Sequence, residues 1–87
     1  MKIKDGYLLR EVAGNHVVVP TGKATLDFSG VITLNGAGAF LWRLLNTEKN
    51  EQELLSAMLG EYEIDAATAQ ADLVEFVTKL KEAELLA

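Results

Sequence analysis

The hydrophobic pattern changes period near Leu34, from β-prone runs before it to helical stripes after it. Tyr7-Leu8-Leu9-Arg10-Glu11-Val12 and His16-Val17-Val18-Val19-Pro20 are rich in β-branched and aromatic residues, with Ala13 and the Gly14-Asn15 pair between them. Gly and Asn tolerate the positive φ of tight turns, so the two runs predict a hairpin with Gly14-Asn15 as its loop. That loop would set Val12 against Val17 and Arg10 against Val19. Thr21-Gly22-Lys23-Ala24-Thr25 reads as a flexible connection, and Leu26-Asp27-Phe28-Ser29-Gly30 leads into Val31-Ile32-Thr33-Leu34, whose β-branched residues predict a third strand.

From Asn35 onward the period is that of a helix. Asn35 is a good N-cap for a helix over about residues 36–46, with Ala37, Phe40, Leu41, Leu44 and Leu45 at i, i+3, i+4, i+7 and i+8. Asn50 followed three residues later by Glu53 has the form of a capping box, opening a second helix over about 51–62 with the stripe Leu54, Leu55, Met58, Leu59, Tyr62. Asp65 caps the third and longest, about 66–83, with Ala66, Ala69, Leu73, Phe76, Val77 and Leu80 along one side. A three-stranded sheet with an antiparallel hairpin, followed by three helices, makes an α+β fold, winged helix-turn-helix-like in its order. No repeat or linker interrupts it, so residues 1–87 read as a single domain.

Composition narrows what such a domain does. At 87 residues it buries only roughly 60–65% of its unfolded surface, so it needs an efficient core or a partner. A hydrophobic fraction of 49% and a charged fraction of 24% supply a core and exclude a disordered tail. With no cysteine, disulfides, thiolate metal sites and thiol nucleophiles are excluded, and the cytoplasm is the default compartment. No segment approaches the ~20 apolar residues of a membrane helix, and the start has no signal-like apolar stretch.

Catalytic constellations are scarce. His16 is the single histidine, so a metal site or a Ser-His-Asp triad would have to centre on it; beside a turn it reads as a surface residue. Pro20 to Thr25 lacks the first glycine of a phosphate-binding loop and carries Ala24 where a Mg²⁺-binding hydroxyl belongs. The carboxylate pairs Glu51/Glu53, Glu61/Glu63 and Asp72/Glu75 fall on amphipathic helices and read as solvated faces. No cofactor, metal or catalytic group is expected.

Charge is unevenly placed. Residues 1–50 hold six basic and four acidic side chains, whereas 51–87 hold two basic and nine acidic, a balance of −7. Nucleic-acid binding needs the opposite sign, which counts against the DNA-binding regulator that a winged-helix order would otherwise suggest. A sheet edge beside a helix instead offers main-chain hydrogen bonds and a groove for alternate side chains, the architecture of strand addition by a peptide. The same open edge can pair with its own copy, so a homodimer or a structural dimerisation module is the remaining alternative.

Three stretches carry a family resemblance: Asp27 through Trp42 with its Ile32-Thr33-Leu34-Asn35 join into the helix, Leu54-Leu55 to Tyr62, and Asp72-Leu73-Val74-Glu75-Phe76-Val77 to Leu80 with the terminal Leu85-Leu86. Together they resemble the PqqD-like proteins, the small peptide carriers named after coenzyme PQQ synthesis protein D. The resemblance implies the fold of a RiPP recognition element, the domain that binds leaders of ribosomally made, modified peptides. It also implies a role without catalysis, in which the leader region of a precursor is bound and presented to a modifying enzyme, often of the radical S-adenosylmethionine type. By the same resemblance the leader would lie between the third strand and the third helix, against Val31, Ile32, Thr33 and Leu34 on one side and Ala69, Asp72, Phe76, Lys79 and Leu80 on the other. The chain departs from the PQQ carriers before the third strand, with Val19-Pro20-Thr21-Gly22-Lys23 in place of an aromatic-Pro-Glu-Gly run. That departure implies a modified peptide other than PQQ.

Overall fold

The computed structural model describes residues 1–22 and 32–87. The expected connection beyond Gly22, the lead-in to the third strand and Val31 lie outside the described residues. Strands β1 (Tyr7–Val12), β2 (Asn15–Pro20) and β3 (Ile32–Leu34) form one antiparallel sheet in the order β1-β2-β3. Helices α1 (Gly36–Leu44), α2 (Glu51–Glu61) and α3 (Ala66–Glu82) follow.

The hairpin register differs from expectation by two residues: Val12 faces Asn15 and Arg10 faces Val17. The turn is Ala13-Gly14, with φ of +52° and +82°. Two consecutive positive φ values match the right-handed twist of the flanking strands, and alanine accepts that strain so that Asn15 can join the ladder. Because the slip is an even number, the faces survive it. Leu9, Val18 and Ile32 stand opposite one another in succession and share the inner face, where Val18 is fully buried. Arg10, Val17 and Thr33 share the outer face.

All three helix starts form as the capping residues dictate. The Asn35 Oδ1 accepts from the Gly38 N–H at 2.7 Å, and Asn50 and Glu53 complete the reciprocal capping box at 2.8 and 3.0 Å. At α3 the Asp65 Oδ1 accepts from the Thr68 N–H at 2.7 Å. That hydrogen bond, more than any other influence, holds the Asp65 carboxyl below its ordinary value of 3.8, since bonding to the charged form favours it. A carboxyl depressed in the folded state stabilises the fold above its unfolded pKa, and the contribution is lost as pH falls through the lower folded value. Thermal melts between pH 2 and 5 should therefore show a smaller acid-side loss in Asp65→Asn, which keeps a capping acceptor but cannot be protonated. An identical pH profile would remove Asp65 from the acid response.

The core is apolar throughout, with no buried polar side chain among the described residues. Stripes predicted for α2 and α3 supply Leu54, Met58, Ala69, Leu73, Phe76, Val77 and Leu80, whereas Ala66 and Leu59 are exposed. Helix α1 departs further from its stripe. Trp42 and Ala39 are buried beside Leu41 and Leu45, while Phe40 and Leu44 are only partly covered. The reason is position: α1 packs against both β3 and α2, so two of its faces lose water where a surface helix loses one. Phe40 covers its exposed side with an edge-to-face contact to Tyr62, ring centroids 5.6 Å apart.

The two ends of the chain meet. Ile3 pairs with Leu86 in an isolated antiparallel bridge, and Lys4 N–H and Ala87 N–H donate to Leu85 and Lys2 carbonyls at 2.8 Å. Helix α3 stops without glycine: Glu84 takes φ +57°, and the Leu85 and Glu84 N–H groups return to Leu80 and Lys81 carbonyls at 2.9 and 3.1 Å. That is the pairing of a Schellman stop. It turns Leu85 inward, where it is fully buried.

Candidate functional site

Strand β3 ends the sheet, and among the described residues no strand pairs with its side away from β2. Alongside it runs α3, and a groove opens between the two. One part is a small pocket of about 40 Å³, with Leu34, Gly38, Leu41 and Phe76 forming its apolar walls and Asp72, Glu75 and Lys79 among its lining residues. A second, more open part of about 430 Å³ lies between Ile32, Thr33, Lys79, Glu82 and Ala83. Lys79 lines both, so the two lie next to each other along α3.

The local sequence explains this shape. Asn35 ends the strand and caps the helix in a single residue, so β3 and α1 join without a loop and Leu34 sits against the start of α1. Gly38 allows that closeness: a Cβ there would lie 3.2 Å from Leu34 Cβ, 3.3 Å from Asn35 Oδ1 and 3.5 Å from Phe76 Cδ1. Glycine inside a helix costs about 1 kcal/mol relative to alanine, a cost accepted here where the strand, α1 and α3 converge. Leu34 and Phe76 are only 4% and 6% exposed, so they serve at once as core and as groove wall. Asp72, Glu75, Lys79 and Glu82 are exposed, and three acids against one base give this side of the groove a negative balance.

The structure thus gathers Ile32, Thr33, Leu34, Asp72, Phe76 and Lys79 around the groove. Ala69 and Leu80 are not among them. Both are fully buried, on the core-facing stripe of α3 with Leu73 and Val77, whereas Asp72, Glu75 and Lys79 stand on its exposed side. Val31 lies outside the described residues. Sequence reasoning missed Asn35, Ala37, Gly38 and Leu41 as lining residues. Gly38 carried a signal, a costly glycine in the first turn of a strongly apolar helix.

Among the described residues no group of three His, Asp or Glu side chains is placed to hold a metal ion. His16 is half-buried, opposite Leu34 in the sheet, and not simply on the surface. No helix is long and apolar enough to cross a membrane. The exposed acids of α3 oppose a phosphate backbone, so the helix that a winged-helix reader would insert into DNA has the wrong sign.

These features define a class: a small α+β domain whose edge strand and last helix enclose a groove of mixed apolar and acidic character. The chain belongs to the PqqD family, for the model of coenzyme PQQ synthesis protein D (PqqD) matches residues 15–86. Among solved structures it resembles TbiB1 in complex with the TbiA(beta) leader peptide, with a TM-score of 0.74 and 28% identity over 99% of this chain and 94% of that one. It also shares its fold with lasso peptide synthetase B1 complexed with the leader peptide, at a TM-score of 0.69 and 20% identity over 93% and 89% of the two chains. No curated protein sequence matches it.

Proposed function

We propose that this domain is a non-catalytic carrier that binds the leader region of a ribosomally made precursor peptide in the β3/α3 groove and presents it to a modifying enzyme. The observation that carries the reading is the groove itself, an open strand edge beside a helix that supplies both apolar walls and charge. Leader binding by TbiB1, whose fold covers nearly all of this chain, supports it. A leader strand added to β3 gains main-chain hydrogen bonds whatever its sequence, and selection comes from alternate side chains. Here one would enter the pocket between Leu34 and Phe76, and a neighbouring cationic side chain would meet Asp72 and Glu75. A radical S-adenosylmethionine enzyme is the partner that the family resemblance suggests, and a peptide product other than PQQ fits the departures before β3.

The test is a titration of the whole chain with the leader of a precursor encoded beside it, followed by amide shifts. Shifts are expected at Ile32–Leu34 and along α3 from Asp72 to Lys79, and a bound leader that leaves both segments unmoved would overturn the groove assignment. Reversing Asp72 and Glu75 together to lysine should weaken the leader at least tenfold, about 1.4 kcal/mol, with little change in melting, because both side chains are exposed. Self-association through the same edge would show in light scattering as a dimer that the leader dissociates.

A further inference from the structure

Between the inner face of the β1–β2 hairpin and the last turn of α1 lies a second cleft, of about 220 Å³. Side chains alternate across a strand, so Leu9 and Glu11 of β1 and His16 of β2 share this inner face, while Trp42, Arg43 and Asn46 line the cleft from the α1 side. Trp42 carries the decisive group. It is only 2% exposed, yet its indole N–H donates to no acceptor among the described residues, where a buried indole ordinarily finds one. Among the described residues no polar side-chain atom is both sealed from solvent and unpartnered. The small accessible part of Trp42 therefore includes that N–H, and it opens to the cleft that the residue lines. The two walls differ in sign. Arg43 is exposed in the last turn of α1 and Glu11 is exposed on β1, and among the described residues no ion pair joins them.

We propose that this cleft binds a free α-amino acid as its zwitterion. The carboxylate accepts from the Trp42 N–H and the Arg43 guanidinium, with the Asn46 amide beside them, and the ammonium donates to Glu11. Charge selects the class. A bare anion is opposed by Glu11 and by the negative end of the α1 dipole, and a bare cation by Arg43, whereas a ligand with both charges satisfies the two walls together. Size agrees with this, because drug-sized ligands occupy roughly 300–1,000 Å³ and a cleft of about 220 Å³ suits a smaller molecule. Leu9, half-buried on the strand wall, gives an aliphatic side chain its apolar contact. The β3/α3 groove uses none of these residues, so this inference stands whether or not that groove holds a leader.

Trp42 is the single tryptophan of the chain, so its fluorescence reports on the cleft directly. L-Leucine is the probe, with N-acetyl-L-leucine, which lacks the ammonium, and L-leucinamide, which lacks the carboxylate, as controls. Added to the whole chain at millimolar concentration, leucine should change the Trp42 emission and move the amides of Leu9–Glu11 and Trp42–Asn46, with each control weaker by about tenfold or more. Glu11→Gln should abolish the preference for leucine over its N-acetyl form, and Arg43→Met the preference over the amide. Both side chains are exposed, so melting should change little. No response to leucine at these residues overturns the proposal. So does equal binding of the three compounds, which marks contact through the leucine side chain alone, and so do shifts confined to β3 and α3. A folded Glu11→Gln or Arg43→Met protein that keeps the original preference overturns it as well.

Discussion

Phe76→Ala is expected to lower stability by about 3–5 kcal/mol, the usual cost of deleting a buried aromatic ring and leaving a void. The side chain is 6% exposed and belongs to the central cluster formed by Leu34, Leu41, Leu73 and Leu80 among others. A domain of this length has a total of only about 4–13 kcal/mol, so urea melts should show a large fall in midpoint or no folded baseline. Leader binding would be lost with the fold, which by itself says nothing of a direct role. Phe76→Leu separates the two effects, because it retains an apolar side chain in the core while removing the aromatic wall of the pocket. A folded leucine variant with weakened leader affinity places Phe76 in the groove; undiminished affinity confines it to the core.

Gly38→Leu should do the reverse, costing the fold at most about 2 kcal/mol net while abolishing leader binding. The helix regains the propensity that glycine forfeits, about 1 kcal/mol, and this offsets part of the roughly 1–3 kcal/mol that overpacking costs where a Cβ meets Leu34 at 3.2 Å. The rest of the side chain must occupy the pocket of about 40 Å³ between Leu34, Leu41 and Phe76, the space assigned to a leader side chain. A loss of at least a hundredfold in affinity, about 2.8 kcal/mol, is the expected result in a calorimetric titration. Gly60→Ala supplies the control, since a Cβ there meets nothing within 4 Å, and it should stabilise α2 by up to about 1 kcal/mol without touching affinity. Equal affinity in a folded Gly38→Leu protein would show that the pocket is not used.

Much of this site was legible because its determinants are local. Asn35, Asn50 and Asp65 each mark a helix start through a hydrogen bond that spans three residues, and α3 shows its buried face as a repeat of apolar positions. The alternation through β2 and the β-branched run into Leu34 marked the sheet. Elements whose outcome depends on distant partners were read less well. The turn was misplaced because Gly14-Asn15 and Ala13-Gly14 both satisfy turn chemistry, and only pairing along the whole hairpin chooses between them. The α1 stripe omitted Trp42 because amphipathic reasoning assumes one buried face, and α1 is covered on two. Ala69 and Leu80, which the family resemblance places in the groove, are both fully buried, because the rotation of α3 in its packing turns them to the core.

The amino-acid sequence by itself determined the order of elements, their caps, the apolar faces and the division of charge between the two halves, since each follows from interactions among near neighbours. Tertiary structure alone decided the groove. Its walls come from β3, α1 and α3, residues as far apart in the chain as Leu34 and Lys79, and its size rests on how closely Gly38 lets those three elements approach. The same is true of the clasp between the chain's ends, where Ile3 pairs with Leu86 across almost the whole length of the sequence. Contacts of this kind carry no period and no motif, because the free energy that selects them is the burial of surfaces that lie far apart in the sequence.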